Sequence, residues 1–184
     1  MKLIADKMKA LKQIFVASAT ALSIATAPTA AAIGNRGEKT VGVSAGYNTF
    51  NESAVGGVFL QYRVNRLIRL APDVSYVFKH NNTDGVALNL NVQMPLPIMP
   101  TGRVNLYPLA GLNYTSWSYH PEGTKPAIIE GDDVSERVSK FGLNVGAGLD
   151  IYATGTLKLF VEGKYVGVRH YSSGVITVGI GYSF

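Results

Sequence analysis

The sequence predicts an all-β chain. Its expected fold is an eight-stranded antiparallel up-and-down transmembrane β-barrel, with an apolar face to lipid and a polar face to a filled lumen. Three observations predict this. Eight runs alternate apolar and polar residues with a period of two. Most are about ten residues or longer, the length a tilted strand needs to cross a bilayer. The final run, "GVITVGIGYSF", keeps its alternation up to Phe184, where chains usually fray. A strand at a terminus is stable only if both its edges are paired and its apolar face is covered.

The N-terminus reads as an export signal. Lys2, Lys7, Lys9 and Lys12 form a basic region, an alanine-rich apolar stretch runs from about Ile14 to Ala27, and Ala30 and Ala32 fit a small-x-small cleavage site. Residues 1–32 are therefore expected to be removed, leaving 33–184 as one barrel domain. Met8 opens a second complete signal, "MKALKQIFVASA". The chain has 17 Lys plus Arg and 12 Asp plus Glu; the leader holds four of the bases and one acid, which leaves 13 bases against 11 acids. So small an excess gives no argument for nucleic acid. There is no Cys, so stability comes from something other than disulfides.

The runs fall at roughly 39–49, 55–64, 67–79, 85–95, 103–117, 138–152, 157–168 and 174–184. Each has two faces. In the third, Ile68, Leu70, Val74, Tyr76 and Phe78 oppose Arg69, Asp73, Ser75 and Lys79. In the fourth, Val86, Leu88, Leu90, Val92 and Met94 oppose Ala87, Asn89, Asn91 and Gln93. The sixth sets Phe141, Leu143, Val145 and Leu149 against Lys140, Asn144 and Asp150; the seventh sets Leu159, Val161 and Tyr165 against Lys158, Glu162 and Lys164. Alternation alone fits a soluble barrel with an apolar inside as well as a membrane barrel with a polar inside. The glycines decide. Gly42, Gly46, Gly57, Gly111, Gly142, Gly146, Gly148, Gly179 and Gly181 share the parity of the charges. Small residues suit the crowded interior of an eight-stranded barrel, which only side chains fill. Aromatic residues such as Tyr47, Tyr62, Tyr76, Tyr114 and Tyr182 gather near strand ends, as an interfacial girdle does.

The connections set an expected orientation. Short turns lie near Asn65, at Leu96–Gly102 and at Ala153–Thr156. The other end carries "NTFNES", "KHNNTDG", "RHYSSG" and the stretch "SYHPEGTKPAIIEGDDVSER". Short turns face the periplasm in such barrels and long loops face outward, which puts both termini in the periplasm.

With its leader, eight runs, the fifth run "YPLAGLNY" and the terminal "GYSF", the sequence resembles the small outer-membrane β-barrel proteins of the OmpA/OmpX type. The resemblance covers the whole expected mature chain. It implies a Gram-negative outer membrane, with outer-membrane lipid and lipopolysaccharide as surroundings. It also implies the barrel assembly machinery as a partner in biogenesis, with Tyr182 and Phe184 as a C-terminal assembly signal. A monomer is expected, with no cofactor, no metal and no nucleic acid partner. No peptidoglycan-binding segment is expected after the barrel.

Three functional readings follow. By parity the lumen holds Arg63, Arg69, Asp73, Lys79, Arg103, Lys140, Asp150, Lys158, Glu162 and Lys164, with Asn89, Asn91, Gln93, Asn105 and Asn113. This is a closed polar core or, as an alternative, a narrow small-solute or ion pore; the excess of bases hints at bound water or anions. The second reading is a lipid A-modifying hydrolase. His170 and Ser172 form an H-x-S step similar to that of the outer-membrane lipid A deacylases, but no Asp or Glu follows Glu162 to orient the histidine, and Ser173 stands where the resemblance calls for Asn. The third reading places function in the outer loops, where His80, His120 and His170 accompany Glu122, Glu130, Asp132, Asp133 and Glu136 without specific ligand spacing. The expected function is a structural or surface-interaction role, with the loops as contact surface.

Overall fold

A computed structural model describes residues 36–50, 52–80, 83–119, 136–168 and 172–184. The expected leader lies outside these residues. The described strands are β1 (Lys39–Asn48), β2 (Ser53–Arg63), β3 (Arg69–His80), β4 (Thr83–Gln93), β5 (Leu96–Pro97), β6 (Val104–Tyr119), β7 (Glu136–Tyr152), β8 (Leu157–Val168) and β9 (Ser173–Ser183). Each long strand pairs antiparallel with its sequence neighbour, and β1 pairs with β9, which closes the sheet. The eight long strands match the eight alternating runs to within a few residues.

The short β5 was not expected; its residues read as part of a turn. Gln93 pairs with Leu109 and Leu96 with Leu106, so β4 and β5 meet β6 in one continuous register. The interruption lies at Pro95, which has no N–H to donate to the ladder. Pro72 does the same within β3: pairing with β2 skips from Phe59↔Asp73 to Tyr62↔Leu70.

Closure fixes the tilt. Tracing paired residues once round the wall from Leu88 leads through Val74, Val58, Val43, Ile180, Leu159 and Ile151 to Val104. Val104 then bonds Ile98, ten residues beyond Leu88 on the same β4–β5 run. A stagger of that size goes with strands inclined by roughly 40°. It also explains why β5 exists, since the β4 side of the wall must extend further to meet the start of β6.

The turns between β2 and β3 and between β7 and β8 are built from side chains. Asn65 Oδ1 accepts the N–H groups of Leu67 and Ile68, both at 2.8 Å. Thr154 Oγ1 accepts the N–H of Leu157 at 2.9 Å. Both residues mimic a backbone turn and hold a tight reversal. At the seam, Lys39 and Phe184 exchange backbone hydrogen bonds at 2.9 and 2.8 Å, and the Tyr182 and Phe184 rings stack at 6.3 Å. The terminal strand is thus held on both edges.

The two faces are sorted as a membrane barrel requires. Leu90 is 50% exposed, whereas its neighbour Asn91 is 1% exposed. Phe141, at 81% exposure, and Leu143 and Leu112 stand almost free of the protein on the outer wall. A soluble barrel would reverse this arrangement, and an apolar wall of such extent in water would drive aggregation. The outer face lies against lipid.

Candidate functional site in the barrel lumen

The lumen has two unlike halves. The half nearest the turns is packed with charge. Arg69 Nη1 donates to Asp150 Oδ2 at 2.5 Å and Nε to Gln93 Oε1 at 2.7 Å, and its guanidinium lies 4.8 Å from the Tyr107 ring centre. Arg63 lies 3.4 Å from Glu38, which also accepts the Tyr152 hydroxyl at 2.5 Å. The Lys158 ammonium donates to Gln61 Oε1 and, at 3.3 Å, to Thr40 Oγ1; Thr40 is bonded in turn to Ser183. Asp150, Lys158 and Tyr107 are wholly buried. Buried ions persist best when paired and hydrogen-bonded; here Arg69 and Arg63 have carboxylates, whereas Lys158 is held by neutral oxygens alone.

Aromatic rings complete the plug. Tyr107 points inward over its cross-strand partner Gly148, Phe160 over Gly179, and Phe59 over Gly42. A Cβ at any of these glycines would collide with the ring. Phe59 and Phe160 then meet edge to face at 5.0 Å. Glycine thus lets the wall hold a ring within a bore that has little room for it.

Midway along the bore, amides take over. Glu162 accepts from Gln93 and Tyr107, each at 3.1 Å. Asp73 accepts from Asn89 at 2.7 Å and Asn91 at 3.3 Å. Lys164 bridges the two acids, 3.4 Å from Asp73 and 3.6 Å from Glu162. Asn144 ties Asn89 to Asn91, and Asn113 donates to Asn89. Above this layer the inward positions mix small polar residues, such as Asn48, Thr115 and Ser173, with apolar ones. Val55, Val77 and Trp117 form one buried cluster, and Val166, Val168 and Val175 another.

Arg63, Arg69, Asp73, Asn89, Asn91, Asp150, Glu162 and Lys164 are thus brought together in the bore. Two residues assigned there by parity are not. Lys79 is exposed: the β3–β4 register shifts between Val77 and His80, and the strand has passed the rim. Arg103 is exposed at the other end, just before β6. Lys140 is half-buried beside Thr115, above the amide layer. With these three bases set aside and the buried Glu38 added, the expected excess of bases disappears. Among the described residues the buried network holds four acids (Glu38, Asp73, Asp150, Glu162) and four bases (Arg63, Arg69, Lys158, Lys164).

Parity reasoning missed Glu38, which precedes the first run by one residue, and the inward apolar residues near the loops. The signal was present, since Val55 shares parity with Arg63, and Val77 with Asp73. The second reading is only partly visible. His170 lies outside the described residues, and so do His120 and the acids from Glu122 to Asp133. Ser172 is exposed and donates to the Val168 carbonyl at 3.0 Å. His80 is exposed at the end of β3.

The fold and lumen define an integral β-barrel of the outer-membrane class. The chain matches the family described as "Outer membrane protein beta-barrel domain" over residues 17–184 and belongs to it. Among solved structures it is similar to the N-terminal barrel of Pseudomonas aeruginosa OprF, with a TM-score of 0.61 and 18% identity, over 81% of this chain and 98% of that one. It is also similar to Neisserial surface protein A, with a TM-score of 0.61 and 15% identity, over 80% and 96%. Ail, the attachment invasion locus protein of Yersinia pestis, gives a TM-score of 0.57 and 18% identity, over 81% and 99%. A search of curated proteins returned no match. At these identities the neighbours establish the fold, and family membership establishes the outer membrane as the chain's setting.

Proposed function

We propose that this chain is a structural and surface-interaction barrel. Its leader is cleaved after Ala32, both termini lie in the periplasm, and the loop between β6 and β7, residues 120–135, faces outward as the main contact surface. The observation that carries this reading is the plug at the turn end. A bore closed by the Arg69–Asp150 pair and the buried Lys158 offers no aqueous path among the described residues, which leaves the outward loops as the surface able to meet a partner. It also argues against the pore reading, because eight strands leave room only for side chains. The reading agrees with what is recorded of Ail, which has been solved with the heparin analogue sucrose octasulfate. Lipopolysaccharide surrounds the outward half, and Tyr182 and Phe184 serve assembly.

The test is accessibility in intact cells. A single cysteine at position 125 should react with a membrane-impermeant maleimide from outside, and one at position 154 only after lysis. Reaction at 154 but not at 125 would invert the orientation. For the hydrolase reading, His170→Ala should leave the acylation of lipid A unchanged; loss of an acyl-chain cleavage in that variant would reinstate it.

A further inference from the structure

We propose that the outer wall at the turn end is a docking surface for anionic phospholipid, with Lys39 and Tyr62 on the headgroup phosphate and Arg66 next to them at the rim. Charge is divided unequally between the two ends of the barrel. Arg36 and Lys39 stand at the start of β1, Arg66 in the β2–β3 turn and Arg103 just before β6, and all four are exposed. No ion pair joins any of them to an acid among the described residues. Of the acids there, Glu38, Asp73, Asp150 and Glu162 are taken up inside the bore, and Glu52, Asp84 and Glu136 belong to the loop end. Among the described residues the turn end thus sets four bases outside the bore against one negative group, the terminal carboxylate of Phe184. A zwitterionic headgroup brings its own cation, which finds no acidic side chain on this rim. A headgroup with a net negative charge matches it.

The wall decides what carries the anion. Lys39 has the outward parity of Val43; its cross-strand partner is Tyr62, whose own partner on β3 is Leu70. Lys39, Tyr62 and Leu70 therefore form one exposed row across three strands, on the face that lies against lipid. Side chains paired in this way start about 5 Å apart, so the Lys39 ammonium and the Tyr62 hydroxyl can meet on one phosphate. Tyr182, diagonal to Lys39 on β9, adds a second exposed ring. Below the row the wall is apolar, with Leu60 and Val43 exposed. A phospholipid covers that wall with its acyl chains while its phosphate meets Lys39; a soluble anion leaves it bare. The turns agree. Leu67 follows Arg66, and Ile98 and Met99 lie in the turn before Arg103, all exposed. Apolar side chains beside bases suit the boundary between headgroups and acyl chains. With the turns in the periplasm, as proposed above, this lipid belongs to the inner leaflet of the outer membrane.

The chain has no cysteine, so Leu70→Cys and Phe78→Cys place a fluorophore on the outer wall at the turn end and near the loop end. The full barrel is folded in vesicles of equal parts phosphatidylglycerol and phosphatidylcholine and checked by heat-modifiable migration. Quenching is then compared with bromine on the acyl chains of one lipid or of the other. Both leaflets of these vesicles are alike, so failure here is separate from failure of the proposed orientation, which the labelling at position 154 tests. The expected result at position 70 is enrichment of phosphatidylglycerol over phosphatidylcholine by about threefold or more, with no preference at 78. Lys39→Gln combined with Arg66→Gln should remove most of the enrichment, and Lys39→Arg should keep it. About 1 M NaCl, where charges are screened beyond roughly 3 Å, should also remove most of it from the parent barrel, and decides the matter if the double variant fails to fold. No preference at 70, an equal preference at 78, or enrichment undiminished by the double substitution or by salt would overturn the proposal.

Discussion

The two halves of the bore are built from the same strands and held differently. At the turn end, β3, β7 and β8 contribute Arg69, Asp150 and Lys158, each bonded to partners across the lumen. At the loop end, β2, β3, β8 and β9 contribute Val55, Val77, Val166, Val168 and Val175, which pack without directional bonds around a cavity. One half is a charged network tied by ion pairs, with Arg69 Nη2 and Asp150 Oδ1 still lacking hydrogen-bond partners among the described residues, and the other a loosely filled collar of valines and small polar residues. In the first, removing a partner strands a buried charge. In the second, removing a methyl group enlarges a space that already exists. The halves should therefore respond to substitution very differently.

The largest effect is expected at Asp150. Asp150→Ala leaves Arg69 buried without its carboxylate, which should cost about 3–5 kcal/mol. Urea unfolding in lipid vesicles, followed by Trp117 emission, measures it. A loss under about 1 kcal/mol would mean that water replaces the carboxylate and that the plug is not tight. Gly148→Ala comes next. The added methyl group meets the Tyr107 ring, and overpacking of this kind costs about 1–3 kcal/mol. Combining it with Tyr107→Leu should recover much of the loss; no recovery would place the strain elsewhere. At the other end, Val168→Ala should cost only about 1–2 kcal/mol, the transfer energy of the lost carbons. A cost above that of Asp150→Ala would reverse the comparison. Smallest is Lys79→Ala, expected to stay within about 0.5 kcal/mol because the side chain stands outside the rim.

Much of this was legible in the sequence, for a physical reason. A period of two is a property of the strand itself, so Leu90 and Asn91 could be assigned to opposite faces without knowing what either touches. Glycine on the polar parity then chose which face was inside, and Gly148 under Tyr107 is the contact behind that inference. Parity carries no information about depth, however. It cannot say where a strand leaves the rim, so Lys79 and Arg103 were counted with the lumen. Nor can it show that Val55, Val77, Val166, Val168 and Val175, which look like scattered exceptions along four strands, lie at one level. That follows from register, and register follows from a closure staggered by ten residues between Leu88 and Ile98. Glu38 was missed because it stands before the alternation begins, although Arg63 and Tyr152 both reach it.

The central claim is that the apolar parity faces lipid and the polar parity a filled bore, and adjacent residues in β4 test it most directly. The chain has no native cysteine, so an environment-sensitive fluorophore can be placed at position 90 or 91 alone. The folded barrel is reconstituted with lipids that carry quenchers on their acyl chains. The account predicts strong quenching at position 90 and little at 91. Absence of lipid quenching at 90, or quenching at 91 that exceeds it, in protein shown to be folded, would contradict it.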